Sequence, residues 1–219
     1  MPESLDDPYF MICEPRLAWL TERRNGWQFG EQGLIDAIVG VLDPSLKVAV
    51  EIGGGNGSAD LPLTCERLYR DGWQVQAYEA DSKSRKQLAA THPTLQTFGR
   101  YEFEEVARCS VLVIDIDSRD GDAMLSATSS HWRPSLLIVE HFDMAGPYVT
   151  RTEQAFDQNV PGWLAGMQIA DENPRRQFTI QARYQYLDLV AAMRQMVPIL
   201  RTRVNSFYVP EDQLEALKK

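Results

Sequence analysis

Acids and one histidine at the ends of apolar runs are the residues here best placed for chemistry. Val48-Ala49-Val50-Glu51-Ile52 stops abruptly at Gly53-Gly54-Gly55-Asn56-Gly57. The run reads as a buried parallel strand. The glycines after it can take positive φ and place no Cβ in the way of a ligand. Glu51 sits at the end of this strand, and a second strand, Trp73 to Tyr78, runs into Glu79. Acids at two neighbouring strand ends, beside a glycine loop, suit a cofactor that carries a nucleoside. Asp115, Asp117 and Asp120 follow a later strand, and His141 follows the next. Histidine, with an ordinary pKa of about 6.5, can accept a proton at neutral pH. Asp117 and Asp120 can do the same, bind an ammonium group or position an acceptor; Asp120 also reads as a helix cap.

The dinucleotide fingerprint G-x-G-x-x-G/A needs glycine or alanine at the sixth place from Gly53. Ser58 stands there, which disfavours a nicotinamide cofactor. Asp115, Asp117, Asp120, Glu140 and Asp143 also gather at adjacent strand ends and can hold Mg²⁺. The same acids read equally as structural or solvated carboxylates, so a metal is a secondary expectation and no metal ligand is assigned.

These residues need a scaffold of alternating strands and helices. Apolar spacing over Phe29–Leu42 predicts a helix closed by Asp43-Pro44. Strand one is Lys47–Ile52. The helix after it turns Leu61, Leu63, Leu68 and Tyr69 inward and ends at Asp71-Gly72. Strand two is Trp73–Tyr78. Asp81 or Ser82 caps a helix over Ser82–Ala90, and a short strand lies near Thr97. Val111–Asp115 is strand four, followed by a helix from Asp120 to Ser129, and Leu136–Glu140 is strand five. A helix over Phe178–Met193 precedes a hairpin of Val197–Thr202 and Ser206–Val209, and Pro210-Glu211-Asp212 opens a terminal helix. This alternation predicts a doubly wound sheet with ligands at its carboxyl edge. The polar, proline-bearing stretch after His141 breaks the rhythm and reads as an insertion over the substrate.

Composition narrows the class. The 219 residues, 44% of them hydrophobic, suit one globular domain with a substantial core. A net charge of −9 and only isolated Arg-Arg pairs disfavour nucleic acid and anionic membranes as partners. Cys13, Cys65 and Cys109 are scattered, as expected of reduced thiols. No secretory leader or long apolar run is evident, so a soluble cytoplasmic protein is expected.

Taken in order, several blocks resemble the FkbM-like group of S-adenosylmethionine-dependent methyltransferases. Trp27-Gln28-Phe29-Gly30-Glu31-Gln32-Gly33-Leu34-Ile35 is similar to its Q-F-G-E-D-G-x-I segment. Val50 to Gly57, Gly72-Trp73 and Tyr78-Glu79-Ala80-Asp81 resemble its glycine loop, its strand start and its E-x-D strand end. Ile114-Asp115-Ile116-Asp117-Ser118-Arg119-Asp120 is similar to its I-D-I-D-G-x-D. Arg133-Pro134 to Glu140, and Arg201-Thr202 with Asn205 and Phe207-Tyr208-Val209, resemble its fifth strand and closing hairpin. Ser118 replaces a usual glycine, Gln195-Met196 a usual Gly-Tyr pair, and His141-Phe142 a usual Tyr-Asn pair.

The resemblance implies a Rossmann-like methyltransferase fold, with a mostly parallel seven-stranded sheet and an antiparallel C-terminal hairpin. It implies one domain over residues 1–219, with an N-terminal helical extension over 1–45 and an insertion over 141–177. It further implies methyl transfer from S-adenosylmethionine to a small-molecule acceptor, a hydroxyl of a sugar or similar compound. Cofactor binding falls to Glu51, Gly53, Gly55, Gly57, Glu79 and Asp115, and catalysis to His141, Asp117 and Asp120. Gln28 and Glu31 become site candidates through the same match. The alternative is a non-catalytic or regulatory protein that keeps the fold. Homo-oligomerisation is left open.

Overall fold

The computed structural model describes residues 10–58, 62–116, 120–128, 132–141 and 184–218. Asp117, Leu61, Asp143, the insertion beyond His141 and the side chain of Gln28 lie outside them.

Eight strands form one sheet: β1 (Met11–Ile12), β2 (Val48–Ile52), β3 (Gln74–Tyr78), β4 (Gln96–Phe98), β5 (Val111–Ile114), β6 (Leu136–Glu140), β7 (Met196–Arg201) and β8 (Asn205–Pro210). Their order is β1-β7-β8-β6-β5-β2-β3-β4. Strands β2 to β6 pair in parallel, and β8 joins β6 antiparallel. The hairpin β7–β8 follows as expected. One strand exceeds the seven anticipated. It is β1, a two-residue edge strand antiparallel to β7, too short to carry a period in sequence.

The helices are α1 (Trp27–Leu42), α2 (Glu66–Arg70), α3 (Ser82–Thr91), α4 (Asp120–Ala127), α5 (Tyr184–Met193) and α6 (Leu214–Leu217). A 3-10 helix over Pro15–Arg23 precedes α1. Asp81 caps α3, its carboxylate accepting the Ser84 N–H at 2.7 Å. That bond satisfies one of the orphan donors of the first turn.

Successive strand residues face opposite layers. Ala49, Val111, Leu136 and Ile138 pack with Leu34, Ile38 and Leu88 on one side. Val50, Leu112, Leu137 and Val139 pack with Met124, Leu187 and Val190 on the other. Burial on both faces explains why β2, β5 and β6 read as continuous apolar runs rather than alternating ones. Among the described residues, no helix is long and apolar enough to cross a membrane.

From β2 the chain winds outward through β3 to β4. It then returns to β5 on the other side of β2. This reversal is a topological switch point, where the loops after the two strands diverge and leave a crevice at the carboxyl edge.

Candidate functional site

The glycine loop leaves β2 at this crevice. The N–H groups of Gly53 and Gly54 donate to the Tyr78 carbonyl at 2.9 and 3.1 Å, tying the loop to the end of β3. Asp115 donates its N–H to the Ile52 carbonyl at 2.8 Å, tying β5 to the same point. Gly53 has φ +97°, and a Cβ added there would lie 1.5 Å from the Asp115 carbonyl oxygen. No other residue fits. Gly55 and Gly57 also have positive φ, 56° and 62°. Behind Gly57 stand Leu88 and His92. His92 is the C-cap residue of α3, and its Nε2 meets Glu66 Oε2 at 2.6 Å. The loop is thereby wedged between two strand ends and a buried, hydrogen-bonded His92–Glu66 couple.

Carboxylates surround it. Glu51 is 2% exposed, and its oxygens accept the N–H groups of Thr64 at 2.9 Å and Cys65 at 2.8 Å. It thus organises the chain that returns from the glycine loop towards α2. Burial raises its pKa to about 7, partly offset by those two N–H donors. Glu79 follows β3 and is half-buried; one of its oxygens accepts the Asp81 N–H at 2.7 Å. Asp115 follows β5, directly across from Gly53. Three of the acids expected to hold a cofactor therefore stand at the ends of three adjacent strands, β3, β2 and β5.

The expected catalytic residues stand differently. His141 directly follows β6 and is 4% exposed, its N–H donating to the Val204 carbonyl at 2.7 Å. Burial, with Arg201 nearby, lowers its pKa to about 4, so its ring is neutral at pH 7. Asp120 is fully buried at the first turn of α4, and its Oδ1 accepts the Ile116 N–H at 2.9 Å. It thereby ties the start of α4 to the residue that follows Asp115. Glu140 pairs with Asn205 across β6 and β8. Among the described residues, no group of three His, Cys, Asp or Glu side chains is arranged to hold a metal.

Sequence reasoning did not foresee the cluster around Glu31. This residue of α1 is 1% exposed and accepts from the Thr202 hydroxyl and from Asn205 Nδ2, the latter at 2.9 Å. Burial lifts its pKa to about 8; the two donors lower it, and the Asp115 charge raises it. The cluster fastens α1 to the β7–β8 turn beside the crevice. Its only sequence signals are the match at Glu31 and a polar pair in a tight hairpin.

No family model matches the sequence, and no curated protein does. Solved structures do. An amino pentose methyltransferase of calicheamicin biosynthesis from Micromonospora echinaspora, CalS10, solved with S-adenosylmethionine bound, shares 12% identity; the match covers 91% of this chain and 98% of that one, with a TM-score of 0.50. The fold is that of a Rossmann-like methyltransferase. Also similar are the magnesium protoporphyrin IX methyltransferase of Synechocystis, with bound S-adenosylhomocysteine (10% identity, 89% and 93% covered, TM-score 0.48), and a TehB-like S-adenosylmethionine-dependent methyltransferase of Corynebacterium glutamicum (13%, 89% and 94%, 0.46). At such identities the likeness is one of fold alone.

Proposed function

We propose that this chain is an S-adenosylmethionine-dependent methyltransferase of the FkbM-like type, acting on a hydroxyl of a sugar or other small molecule. One observation carries the reading: a loop that only glycine can form lies at the switch point, with Glu79 and Asp115 at the strand ends on either side. An edge so rich in carboxylates favours a ligand bearing a sulfonium and an ammonium group.

Residue roles follow from place. Glu79, with one oxygen not engaged by Asp81, bonds the ribose hydroxyls. Asp115 receives the ammonium group, and the backbone of Gly53, Gly55 and Gly57 lies along the amino-acid portion. Glu51 shapes the loop from behind. The cofactor supplies an already activated methyl group, so the protein's task is alignment and removal of one proton. His141, kept neutral by burial, is the proton acceptor in this reading. Asp117 is assigned to orient the acceptor, and Asp120 holds the chain after β5 by accepting the Ile116 N–H. A cytoplasmic setting fits the same reading.

The burial of His141 and Asp120 favours one other reading, a protein that binds the cofactor without turnover. Methyl transfer to a hydroxyl panel separates the two. Glu79→Ala tests the shared part: loss of the ribose bonds weakens S-adenosylhomocysteine binding by roughly 1–3 kcal/mol. Unchanged affinity removes Glu79 from the site.

A further inference from the structure

A groove of about 410 Å³ opens on the opposite edge of the sheet. Ser110 and Ser135, which precede β5 and β6, lie in its wall, as does Pro210, which ends the antiparallel β8. Five residue steps along β5 separate Ser110 from Asp115, about 16 Å at roughly 3.3 Å per residue. The groove is thus separate from the glycine-loop crevice.

Its charge opposes that of the chain. Against a net charge of −9, it gathers Arg108, Arg133 and Arg194 around a single carboxylate, Asp212. Arg133 is held in place, donating to the Gln195 carbonyl at 3.3 Å and to Gln195 Oε1 at 2.9 Å. Its distance to Asp212 is 3.6 Å, and Asp212 is mostly exposed, so that pairing is weak. Arg194 donates to the Leu125 carbonyl at 2.9 Å, and its buried Nε has no acceptor among the described residues. Arg108 is exposed and makes no hydrogen bond or ion pair with them. Two anchored guanidiniums and one uncommitted one thus line a single groove, and the planar fork of arginine matches a phosphate.

The remaining wall mixes Ser110, Ser135, Gln195 and Gln213 with apolar side chains, Trp132 and Met193 among them. Trp132 is half-buried, its ring fixed by donation from Nε1 to Glu105 at 2.8 Å. Met193, 62% exposed, lines the same groove. The volume lies in the range of small-molecule sites.

We propose that this groove binds a small phosphate monoester with an aromatic or other apolar portion. Arg108 and Arg133 hold the phosphate, and Trp132 and Met193 cover the apolar part. The proposal is independent of the methyl-transfer reading.

Phenyl phosphate, inorganic phosphate and benzoate, titrated into the full chain at low salt, test it. Phenyl phosphate binds more tightly than either of the others. Arg108→Gln, an exposed change checked for folding by circular dichroism, weakens phenyl phosphate roughly ten-fold. Asp212→Asn, which removes the competing carboxylate, strengthens it a few-fold. Neither variant alters the response to S-adenosylhomocysteine. Phenyl phosphate that fails to bind at roughly 10 mM, binds no better than benzoate, or binds Arg108→Gln as well as the parent overturns the proposal.

Discussion

Gly53→Ala probes the junction on which the crevice is built. The added Cβ would stand 1.5 Å from the Asp115 carbonyl oxygen and 2.6 Å from its carbon. Ordinary carbon–oxygen contacts begin at about 3.3 Å, so the ends of β2 and β5 must part by roughly 2 Å. Two hydrogen bonds lie in the way of that movement. They are Asp115 N–H to Ile52 O at 2.8 Å and Gly53 N–H to Tyr78 O at 2.9 Å. Each is worth about 1 kcal/mol. The positive φ of +97° adds the strain of an L residue in that region, about 1–2 kcal/mol. The expected loss is about 3–4 kcal/mol. Gly72→Ala is the matched control: its φ is +82°, yet its Cβ would meet nothing within 4 Å. Strain alone, about 1–2 kcal/mol, is expected there. Urea unfolding of both variants measures the difference. Equal losses would show that Gly53 is not pressed against Asp115, and the close approach of β2 and β5 would have to be abandoned.

Three further outcomes are expected. Glu31, raised by burial to about 8 from 4.5, keeps a proton in the folded state that the unfolded chain releases; its contribution is complete below pH 4.5 and lost as pH rises through 8. His141, lowered to about 4, loses its contribution only as pH falls from 6.5 towards 4, so the interval from 6.5 to 8 belongs mainly to Glu31, with Glu51 adding up to about 7. Across that interval stability falls by on the order of 1 kcal/mol, and Glu31→Gln flattens the slope; an unchanged slope in the variant contradicts the assignment. His141→Gln lowers methyl-transfer turnover by roughly 10²-fold or more while S-adenosylhomocysteine affinity stays within about two-fold of the parent; full turnover dismisses His141 as the proton acceptor.

Much of the scaffold was legible because local pattern and tertiary role coincide. Val111–Ile114 and Leu136–Glu140 are buried on both faces, so an unbroken apolar run could mean little else. Asp81 capped α3 as its type and place suggested. The glycine spacing at 53, 55 and 57 matched three positive-φ residues. Other features were invisible for physical reasons. β1 has two residues, and its pairing with β7 depends on a partner nearly 190 positions away. The bonds from Thr202 and Asn205 to Glu31 join residues 171 and 174 positions apart. Only the assembled sheet brings them together. The burial of His141 was equally hidden, since it is the β7–β8 turn at Val204 that closes over it. A residue type at a strand end reveals which edge it occupies, not whether water reaches it.

Isothermal titration of the full chain with S-adenosylmethionine, and in parallel with NAD, tests the central claim most directly. One S-adenosylmethionine should bind per chain with a dissociation constant well below about 1 mM, and NAD should give no heat. Binding of NAD instead, or no binding of either cofactor, would contradict a methyltransferase crevice at the β2–β5 switch point.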